Sequence, residues 1–415
     1  MMKGKAKSNR ERKLRELVKR VWENVPHYRA KMEDVGVTPH DISTARDLWK
    51  LPFTTKEDLR NTYPSGLLAC SKEKIVRFHA SSGTTGKPTV VAYTRNDLQT
   101  WTDAMASCLK RAGVTSSDVV QIAYGYGLFT GGLGLHYGAE KLGCAVIPAS
   151  GGFSERQLML MEDLGTSVLA CTPSYALKLS EMLQQKNKAL KLRLGIFGAE
   201  PWSETLRKTL EENLKITALD VYGLSEIMGP GVAMECPAKM GLHLAQDFFL
   251  VEIINPETGQ PVKEGEEGEL VITTLTKEAL PLIRYRTRDI TKILPGKCDC
   301  GDSSTRIARI RGRSDEMLII RGVNVFPTQV ETALGKTFGL SCHYYLEVTG
   351  SEGHKDLHVY SEMLENLSPE AEERLKAKAI SNLHNILGIR VELHLLPPGS
   401  IERSDGKSKR IRSTL

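Results

Sequence analysis

The sequence predicts an α/β protein with a large N-terminal domain, residues 1–314, and a small α+β C-terminal domain, residues 315–415. Three observations support this expectation. Short apolar runs alternate with helical stretches between residues 90 and 226, which is typical of parallel sheets covered by helices. Residues 248–275 have the pattern of a β-rich hairpin element. From about residue 316 a smaller unit follows, in the order helix, two strands, long helix and strand.

Length and composition agree with two domains in an ordinary globular protein. A chain of 415 residues exceeds what one hydrophobic core usually serves. Its 40% apolar and 26% charged residues are unremarkable, and no apolar run is long enough to cross a membrane. The N-terminus is basic but lacks the apolar centre of a secretory signal. We therefore expect a cytoplasmic protein with no membrane partner.

The net charge of +6 is mild, and much of it lies in the first fifteen residues. A nucleic-acid patch is one interpretation of that segment, but no aromatic residues interleave with the basic ones. The spacing of apolar residues instead predicts an amphipathic helix over 10–34, which Pro26 stops or bends. A solvated helix face is favoured, so we expect no nucleic-acid partner.

Residues 81–88, S-S-G-T-T-G-K-P, have the composition of a polyphosphate-binding loop. Glycines let backbone N–H groups approach anionic oxygens, hydroxyls add donors, and Lys87 adds a positive charge. The candidate donors before it are Ser81, Ser82, Gly83, Thr84, Thr85 and Gly86. The spacing is not that of a Walker loop, and Pro88 disfavours a helix directly after it. We expect a clamp between two strands, with a simple surface turn as the alternative.

This octapeptide, followed by T-V-V-A-Y-T, resembles the phosphate-binding signature of the acyl-adenylate-forming ligases. Within them the chain most resembles the phenylacetate–coenzyme A ligase family. The resemblance runs from N-V-P-H-Y-R at 24–29 to G-K-S-K-R at 406–410. It implies an adenylate-forming N-terminal domain, a small mobile C-terminal lid domain, and the use of ATP, magnesium and coenzyme A.

The segment Y-G-L-S-E at 222–226 closes a predicted strand with one carboxylate. Taken alone, Glu226 is either a magnesium ligand or a solvated loop carboxylate. The resemblance implies the magnesium role and places Tyr222 beside the adenine. It implies nucleotide contacts for further residues in the strand-end segments: Gly198, Ala199, Glu200, Pro201, Asp220 and Gly223.

Two charged segments follow. In R-Y-R-T-R-D at 284–289, Asp289 taken alone would be a surface ion-pair partner, whereas the resemblance implies that it accepts both ribose hydroxyls. Arg288 stands where the broad superfamily has glycine, as in the phenylacetate branch. Further on, the resemblance implies that Arg313 contacts ribose or phosphate and that Asp315 is the hinge of the small domain.

The segment A-Y-G-Y-G-L-F-T-G-G at 123–132 suggests a pocket for a planar acid. Glycines between Tyr124, Tyr126 and Phe129 would give a flat wall that a ring can approach closely. The alternative is a core strand followed by a loop. The resemblance also places the acyl pocket here, although the acid itself is not readable from the sequence.

Two pairs of metal-binding residue types stand apart from the other cysteines. Cys236 and His243, with Cys298 and Cys300, would supply the four ligands of a structural Cys3His zinc site. The C-x-C spacing is shorter than the usual C-x2-C, so two unrelated surface loops are the alternative.

The C-terminal R-S-D-G-K-S-K-R, residues 403–410, is either a frayed basic tail or the final motif of the family. In that motif a lysine after glycine reaches the active site. Lys407 is the positional match, and Lys409 is the second candidate.

We therefore expect an ATP-dependent ligase that joins an aryl carboxylic acid to coenzyme A through acyl-AMP, releasing pyrophosphate and AMP. Lys407, Lys87 and magnesium on Glu226 would neutralise charge during adenylation. One alternative is an aryl-acid adenylating enzyme that delivers to a carrier protein or another acceptor. Another is a non-catalytic zinc-bearing binding protein. The acid, the pathway and the oligomeric state stay open, and a homodimer is one candidate assembly.

Overall fold

The computed structural model describes residues 2–81, 88–186, 190–321, 323–351 and 354–413. The chain divides into two compact units. The first comprises residues 1–151, 166–170 and 219–309, and the second comprises residues 152–165, 171–218 and 310–415. Among the described residues, no helix has the length and apolar character that a membrane span needs.

The described residues form ten α-helices, and strands alternate with them through the middle of the chain. The helices are α1 (Met2–Asn24), α2 (Pro26–Asp34), α3 (Lys56–Asn61), α4 (Arg95–Arg111), α5 (Gly131–Lys141), α6 (Ser154–Asp163), α7 (Pro173–Lys186), α8 (Glu204–Leu214), α9 (Pro327–Gly335) and α10 (Pro369–Leu387). The first strands are β1 (Ile75–Ser81), β2 (Thr89–Thr94), β3 (Val119–Ile122), β4 (Ala145–Ile147), β5 (Val168–Cys171), β6 (Leu194–Gly198) and β7 (Thr217–Tyr222).

Shorter strands dominate the remainder of the chain. They are β8 (Ala233–Glu235), β9 (Leu242–Leu244), β10 (Phe249–Ile254), β11 (Gly268–Thr274), β12 (Tyr285–Thr291), β13 (Ile293–Leu294), β14 (Arg306–Ile307), β15 (Gly312–Arg313), β16 (Leu318–Ile320) and β17 (Val323–Val325). The C-terminal strands are β18 (Leu340–Ser351), β19 (His354–Met363), β20 (Glu392–Leu396) and β21 (Ile411–Ser413).

The predicted N-terminal helix forms and breaks where the sequence indicates. Leu14, Val18 and Val21 are fully buried, so one face of α1 packs into the core. Pro26 occupies the first turn of α2, where the backbone N–H that proline lacks would have no partner within the helix. The predicted bend is therefore a helix end followed at once by a second helix.

The first unit contains both parallel and antiparallel pairing. Strand β3 pairs in parallel with β4 and β5, as the alternation of strand and helix predicts. Strand β7 instead pairs antiparallel with β8, which continues antiparallel through β9 and β14 to β13. The predicted β-rich element is also present, because β10, β11 and β12 form successive antiparallel pairs.

The second unit contains the predicted small α+β module. Its sheet has the order β20-β19-β18-β21, with an antiparallel central pair and a parallel pair on each side. One face of this sheet packs on α9 and α10, through buried residues that include Val330, Leu346, Val359, Leu383 and Leu393. The predicted order of helix, two strands, helix and strand is thus observed, while β21 and the β16–β17 hairpin were not predicted.

Candidate active site

The expected phosphate-binding loop is bracketed by a strand pair. Strands β1 and β2 run antiparallel, and Ser81 opposite Thr89 is their final registered pair before the loop. The hydroxyls of Ser81 and Thr89 are buried and have no hydrogen-bond partner among the described residues. The predicted ligands Ser82, Gly83, Thr84, Thr85, Gly86 and Lys87 lie outside the described residues.

The Y-G-L-S-E segment turns tightly after β7. A Cβ on Gly223 would lie 2.6 Å from the Cα of Gly229, so a side chain does not fit there. The turn leaves Glu226 only 6% exposed. Its carboxylate lies 4.0 Å from the ammonium of Lys56. A buried carboxylate has the oxygen chemistry that a magnesium ion prefers.

A buried lysine that the sequence analysis did not single out supports this turn. Lys277 is fully buried, and its ammonium donates a hydrogen bond to the backbone oxygen of Glu226 at 3.3 Å. The same ammonium lies 4.5 Å from the centre of the Tyr93 ring. Burial lowers the pKa of Lys277 to about 8, although Asp97 and Glu226 oppose the shift. No sequence signal marks it, because a lone lysine in T-L-T-K-E is most often a surface residue.

Two residues that the resemblance assigns to nucleotide binding are hydrogen-bonded to each other. The Tyr222 hydroxyl donates to a carboxylate oxygen of Asp289 at 2.6 Å, and Asp289 is only 5% exposed. Asp289 is therefore a buried, hydrogen-bonded carboxylate and not a surface residue. Asp220, on the same strand as Tyr222, accepts from the Arg309 guanidinium at 3.0 Å.

Arg288 adopts a backbone conformation that favours glycine, with φ of +68°. Its N–H donates to the buried carboxylate of Glu269 at 3.1 Å. The same carboxylate accepts the Arg286 guanidinium, so two arginines of R-Y-R-T-R-D converge on one acid. The local hydrogen bonds hold an arginine in the torsion that the superfamily glycine would adopt freely.

The aromatic segment lies against the start of α5. A Cβ on Gly131 would lie 2.5 Å from the Phe129 ring, and one on Gly132 would lie 3.1 Å from the Tyr126 ring. Both rings therefore pack closely on glycine backbone. The Tyr126 hydroxyl hydrogen-bonds Nδ1 of His136 at 3.1 Å, and Tyr124 is 4% exposed.

Two hydrogen bonds connect the aromatic segment to its neighbours in the first unit. Thr130 and Ser225 hydroxyls lie 3.1 Å apart, which ties the segment to the Y-G-L-S-E turn. The Leu128 carbonyl accepts from the Ala80 N–H at 3.0 Å, which ties it to the end of β1. The end of β1, the Y-G-L-S-E turn and the aromatic segment are therefore adjacent in this unit.

In the second unit, the G-A-E-P segment holds the C-terminal motif. Ala199 has φ of +71°, an unusual conformation for a residue with a side chain. The Glu200 carboxylate accepts the N–H groups of Ser174 at 2.8 Å and Ser408 at 2.9 Å. Burial raises the pKa of Glu200, while these hydrogen bonds oppose the shift. Glu200 thus fixes backbone, in addition to the nucleotide contact that the resemblance implies for Gly198 to Pro201.

The segment around Lys407 is ordered and is not a frayed tail. Thr172 donates to the Gly406 carbonyl at 2.8 Å, and Ser408 donates through its hydroxyl to Ser174 at 2.7 Å. These contacts fix the backbone on both sides of Lys407, whose side chain is exposed. Just beyond, β21 pairs in parallel with β18.

Arg313 and Asp315, for which the resemblance implies a nucleotide contact and a hinge, contact each other. The Arg313 guanidinium donates two hydrogen bonds of 2.8 Å to the Asp315 carboxylate. Asp315 is half exposed, so this pair contributes little to stability by itself. A nucleotide that contacts Arg313 would share its guanidinium with the Asp315 carboxylate.

The four predicted zinc ligands come together in the first unit. The sulfur atoms of Cys236 and Cys298 are 3.5 Å apart, and that of Cys300 is 3.4 Å from Nε2 of His243. All four ligand atoms lie within 4.8 Å of one another. A tetrahedral zinc ion places sulfur ligands about 3.8 Å apart, so the cluster fits with small adjustments.

The histidine of this cluster is already oriented for binding. Nδ1 of His243 hydrogen-bonds the Ser304 hydroxyl at 2.9 Å, which directs Nε2 towards the thiols. Burial lowers the pKa of His243, as does the nearby Arg111 guanidinium. The imidazole is therefore kept in the neutral form that a metal requires.

Comparisons with known proteins identify the class. The family model described as "AMP-binding enzyme" matches residues 23–276, and the model described as "AMP-binding enzyme C-terminal domain" matches residues 322–414. The phenylacetate–coenzyme A ligase of Escherichia coli (strain K12) is 50% identical over 96% of this chain and 92% of its own length. That of Aromatoleum evansii is 48% identical over 95% of this chain and 91% of its own length.

A solved structure shows the same fold. The 2-hydroxyisobutyryl–coenzyme A ligase, in its postadenylation state with an acyl adenylate, superimposes with a TM-score of 0.92 at 25% identity. The match covers 97% of this chain and 88% of that one. This chain belongs to the phenylacetate–coenzyme A ligase family of the AMP-binding enzymes, whose members are AMP-forming acid–thiol ligases.

Proposed function

We propose that this chain is an ATP-dependent ligase that joins an aryl carboxylic acid to coenzyme A, with phenylacetate as the first candidate acid. The observation that carries the proposal is the buried hydrogen bond from Tyr222, at the end of β7 before Glu226, to Asp289 on β12. Asp289 would offer a carboxylate to the ribose, and Glu226, four residues after Tyr222, would offer one on the phosphate side. An aryl acid is favoured because close relatives that align over nearly their whole length with this chain are phenylacetate–coenzyme A ligases.

The reaction has two steps. The acid's carboxylate oxygen attacks the α-phosphorus of ATP, forming acyl-AMP while pyrophosphate leaves. The sulfur of coenzyme A then attacks the acyl carbon, and AMP leaves. Neither step needs a nucleophilic side chain, so the protein contributes positioning and charge stabilisation.

Residues of the first unit would bind the nucleotide and the acid. Asp289 would accept the ribose hydroxyls, and residues 81–87 would contact the phosphates. Glu226 would hold magnesium, which when bound neutralises charge on the phosphates. Tyr124, Tyr126 and Phe129 would line the aryl pocket, where rings pack on glycine backbone.

Residues of the second unit would supply the cation for the first step. Lys407 is proposed to stabilise the developing charge during adenylation. The small domain, residues 315–415 as proposed from the sequence, would then turn about Asp315 and withdraw this lysine before the thiol step. We also propose that the protein is cytoplasmic and forms a homodimer.

One experiment tests the proposal. Purified protein is offered a panel of aryl and alkyl acids with ATP and magnesium, and AMP and thioester are measured with and without coenzyme A. We expect AMP release that depends on coenzyme A, with phenylacetate among the best acids. Stoichiometric acyl-AMP that is never transferred to coenzyme A would instead favour delivery to a carrier protein.

We further propose that Cys236, His243, Cys298 and Cys300 bind one structural zinc ion. The ion would tie the β8–β9 region to the loop before β14, because the ligands come from both segments. When bound, zinc holds thiolates in a fixed tetrahedron and stabilises the folded chain. No step of the ligase reaction passes through it.

Replacing Cys298 by serine is expected to remove about one zinc ion per chain and to lower the melting temperature. The catalytic rate per folded molecule should be affected less than the thermal stability, since the ion is structural. Metal analysis and thermal denaturation measure both effects, with Cys70→Ser, a half-buried thiol outside the cluster, as the matched control. Wild-type protein that carries far less than one zinc ion per chain would refute the assignment.

A further inference from the structure

A second cluster of metal-binding residue types lies on the sheet of the C-terminal module. Strands β19 and β20 run parallel, with His358 opposite Glu392 and Tyr360 opposite His394. Their neighbours Val359 and Leu393 point into the core. Because side chains alternate along a strand, the two histidines and the glutamate project from the opposite face.

The three side chains converge on one point. Nδ1 of His358 lies 3.2 Å from Nε2 of His394. One carboxylate oxygen of Glu392 lies 3.4 Å from Nδ1 of His358, and its other oxygen lies 3.6 Å from Nε2 of His394. Nitrogen and oxygen ligands about 2.0–2.1 Å from a tetrahedral ion are separated by roughly 3.4 Å. The two nitrogens and the carboxylate therefore lie at separations close to those of three ligands around one ion.

Neighbouring side chains hold both imidazoles in place. The Thr349 hydroxyl hydrogen-bonds Nε2 of His358 at 2.9 Å, which leaves Nδ1 directed at the cluster. The Tyr360 ring stacks on His394, with centres 4.4 Å apart and planes within 13°. Tyr345 stacks in turn on Tyr360 at 4.5 Å. The ligands are thus preorganised by other side chains, which chance proximity of exposed residues would not require.

We propose that His358, Glu392 and His394 bind one divalent transition-metal ion of the zinc class. Two imidazoles and one carboxylate favour zinc, cobalt, nickel or copper over magnesium or calcium. The fourth position faces solvent, because the Glu392 side chain is 64% exposed and that of His394 is 32% exposed. This site shares no ligand with the cysteine cluster, which lies in the other unit. A bound ion would link β19 to β20 and stabilise the module.

Cobalt titration of the metal-free full chain tests the proposal. Cobalt held by thiolates gives intense charge-transfer absorption, whereas cobalt held by imidazole and carboxylate does not, so the two clusters are distinguishable. We expect about two cobalt ions per wild-type chain. His394→Ala should lose about one of them while the thiolate band persists, and His40→Ala, at an exposed histidine of the other unit, should lose none.

A second variant separates ligand loss from misfolding. Thr349→Val keeps all three ligands and the shape of the side chain but removes the hydroxyl that orients His358. It should weaken cobalt binding at this site by about 10- to 100-fold. Unchanged cobalt stoichiometry in folded His394→Ala, or unchanged affinity in Thr349→Val, would overturn the proposal. A wild-type chain that binds cobalt without the thiolate band would count against the cysteine cluster. Cobalt that is then lost in His394→Ala would still support the present site.

Discussion

Replacing Lys407 by alanine is expected to slow acyl-adenylate formation by about a hundred- to a thousand-fold. That is the usual effect of removing a donor aimed at charge that develops in the transition state. The backbone on both sides of Lys407 is fixed by Thr172 and Glu200, so the substitution should leave the segment in place. Conversion of supplied acyl-AMP and coenzyme A to thioester should proceed at nearly the wild-type rate.

Lys409→Ala is the matched control, because this lysine is also exposed and lies two residues further on. It should affect neither step strongly. Both half-reactions are measured separately, by pyrophosphate release and by thioester formation. Equal loss of both in the Lys407 variant would argue against a role confined to adenylation, and no loss in either would make this lysine a simple surface charge.

Replacing Asp289 by alanine is expected to raise the KM for ATP by about ten- to a hundredfold. Losing the charge-assisted hydrogen bonds to this carboxylate should cost roughly 1.5–3 kcal/mol in all, and about 1.4 kcal/mol corresponds to tenfold in affinity. The residue is buried, so its carboxylate is not replaced readily by water. Steady-state kinetics at varied ATP concentration measure the change.

Tyr222→Phe separates the two functions of this pair. It removes the hydroxyl that donates to Asp289 but keeps the carboxylate itself. We expect a smaller rise in the KM for ATP than in the alanine variant, together with a similar loss of thermal stability. If both variants changed stability alone and left the KM for ATP unchanged, Asp289 would be a structural partner of Tyr222 only.

Much of this fold could be predicted because its signals are local. The apolar runs that became β3 to β7 are short, rich in branched residues and separated by helical stretches. Thr44 and Thr55 cap helical turns, each with an aspartate three residues later, which is a local pattern. The meeting of Cys236, His243, Cys298 and Cys300 could also be predicted, because these residue types are chemically distinctive.

Other features depend on packing that the sequence does not reveal. Strands β8, β13 and β14 contain only two or three residues, too few to show an alternating pattern. The burial of Lys277 follows from elements that close around it, and nothing in its neighbours signals it. The His358–Glu392–His394 cluster was missed because the register between β19 and β20 brings together residues that are distant in sequence.

The conformation of Arg288 limits which residues can replace it. A residue with a Cβ in this left-handed region is roughly 1–2 kcal/mol less stable than glycine, and the Arg288 guanidinium, 3.8 Å from the Glu269 carboxylate, offsets part of that strain. Substitution by glycine is conformationally free at this site, whereas a β-branched residue would be strongly disfavoured. Glycine can therefore stand at position 288 without a backbone cost, whereas a larger residue depends on contacts of its own side chain, such as that of Arg288 with Glu269.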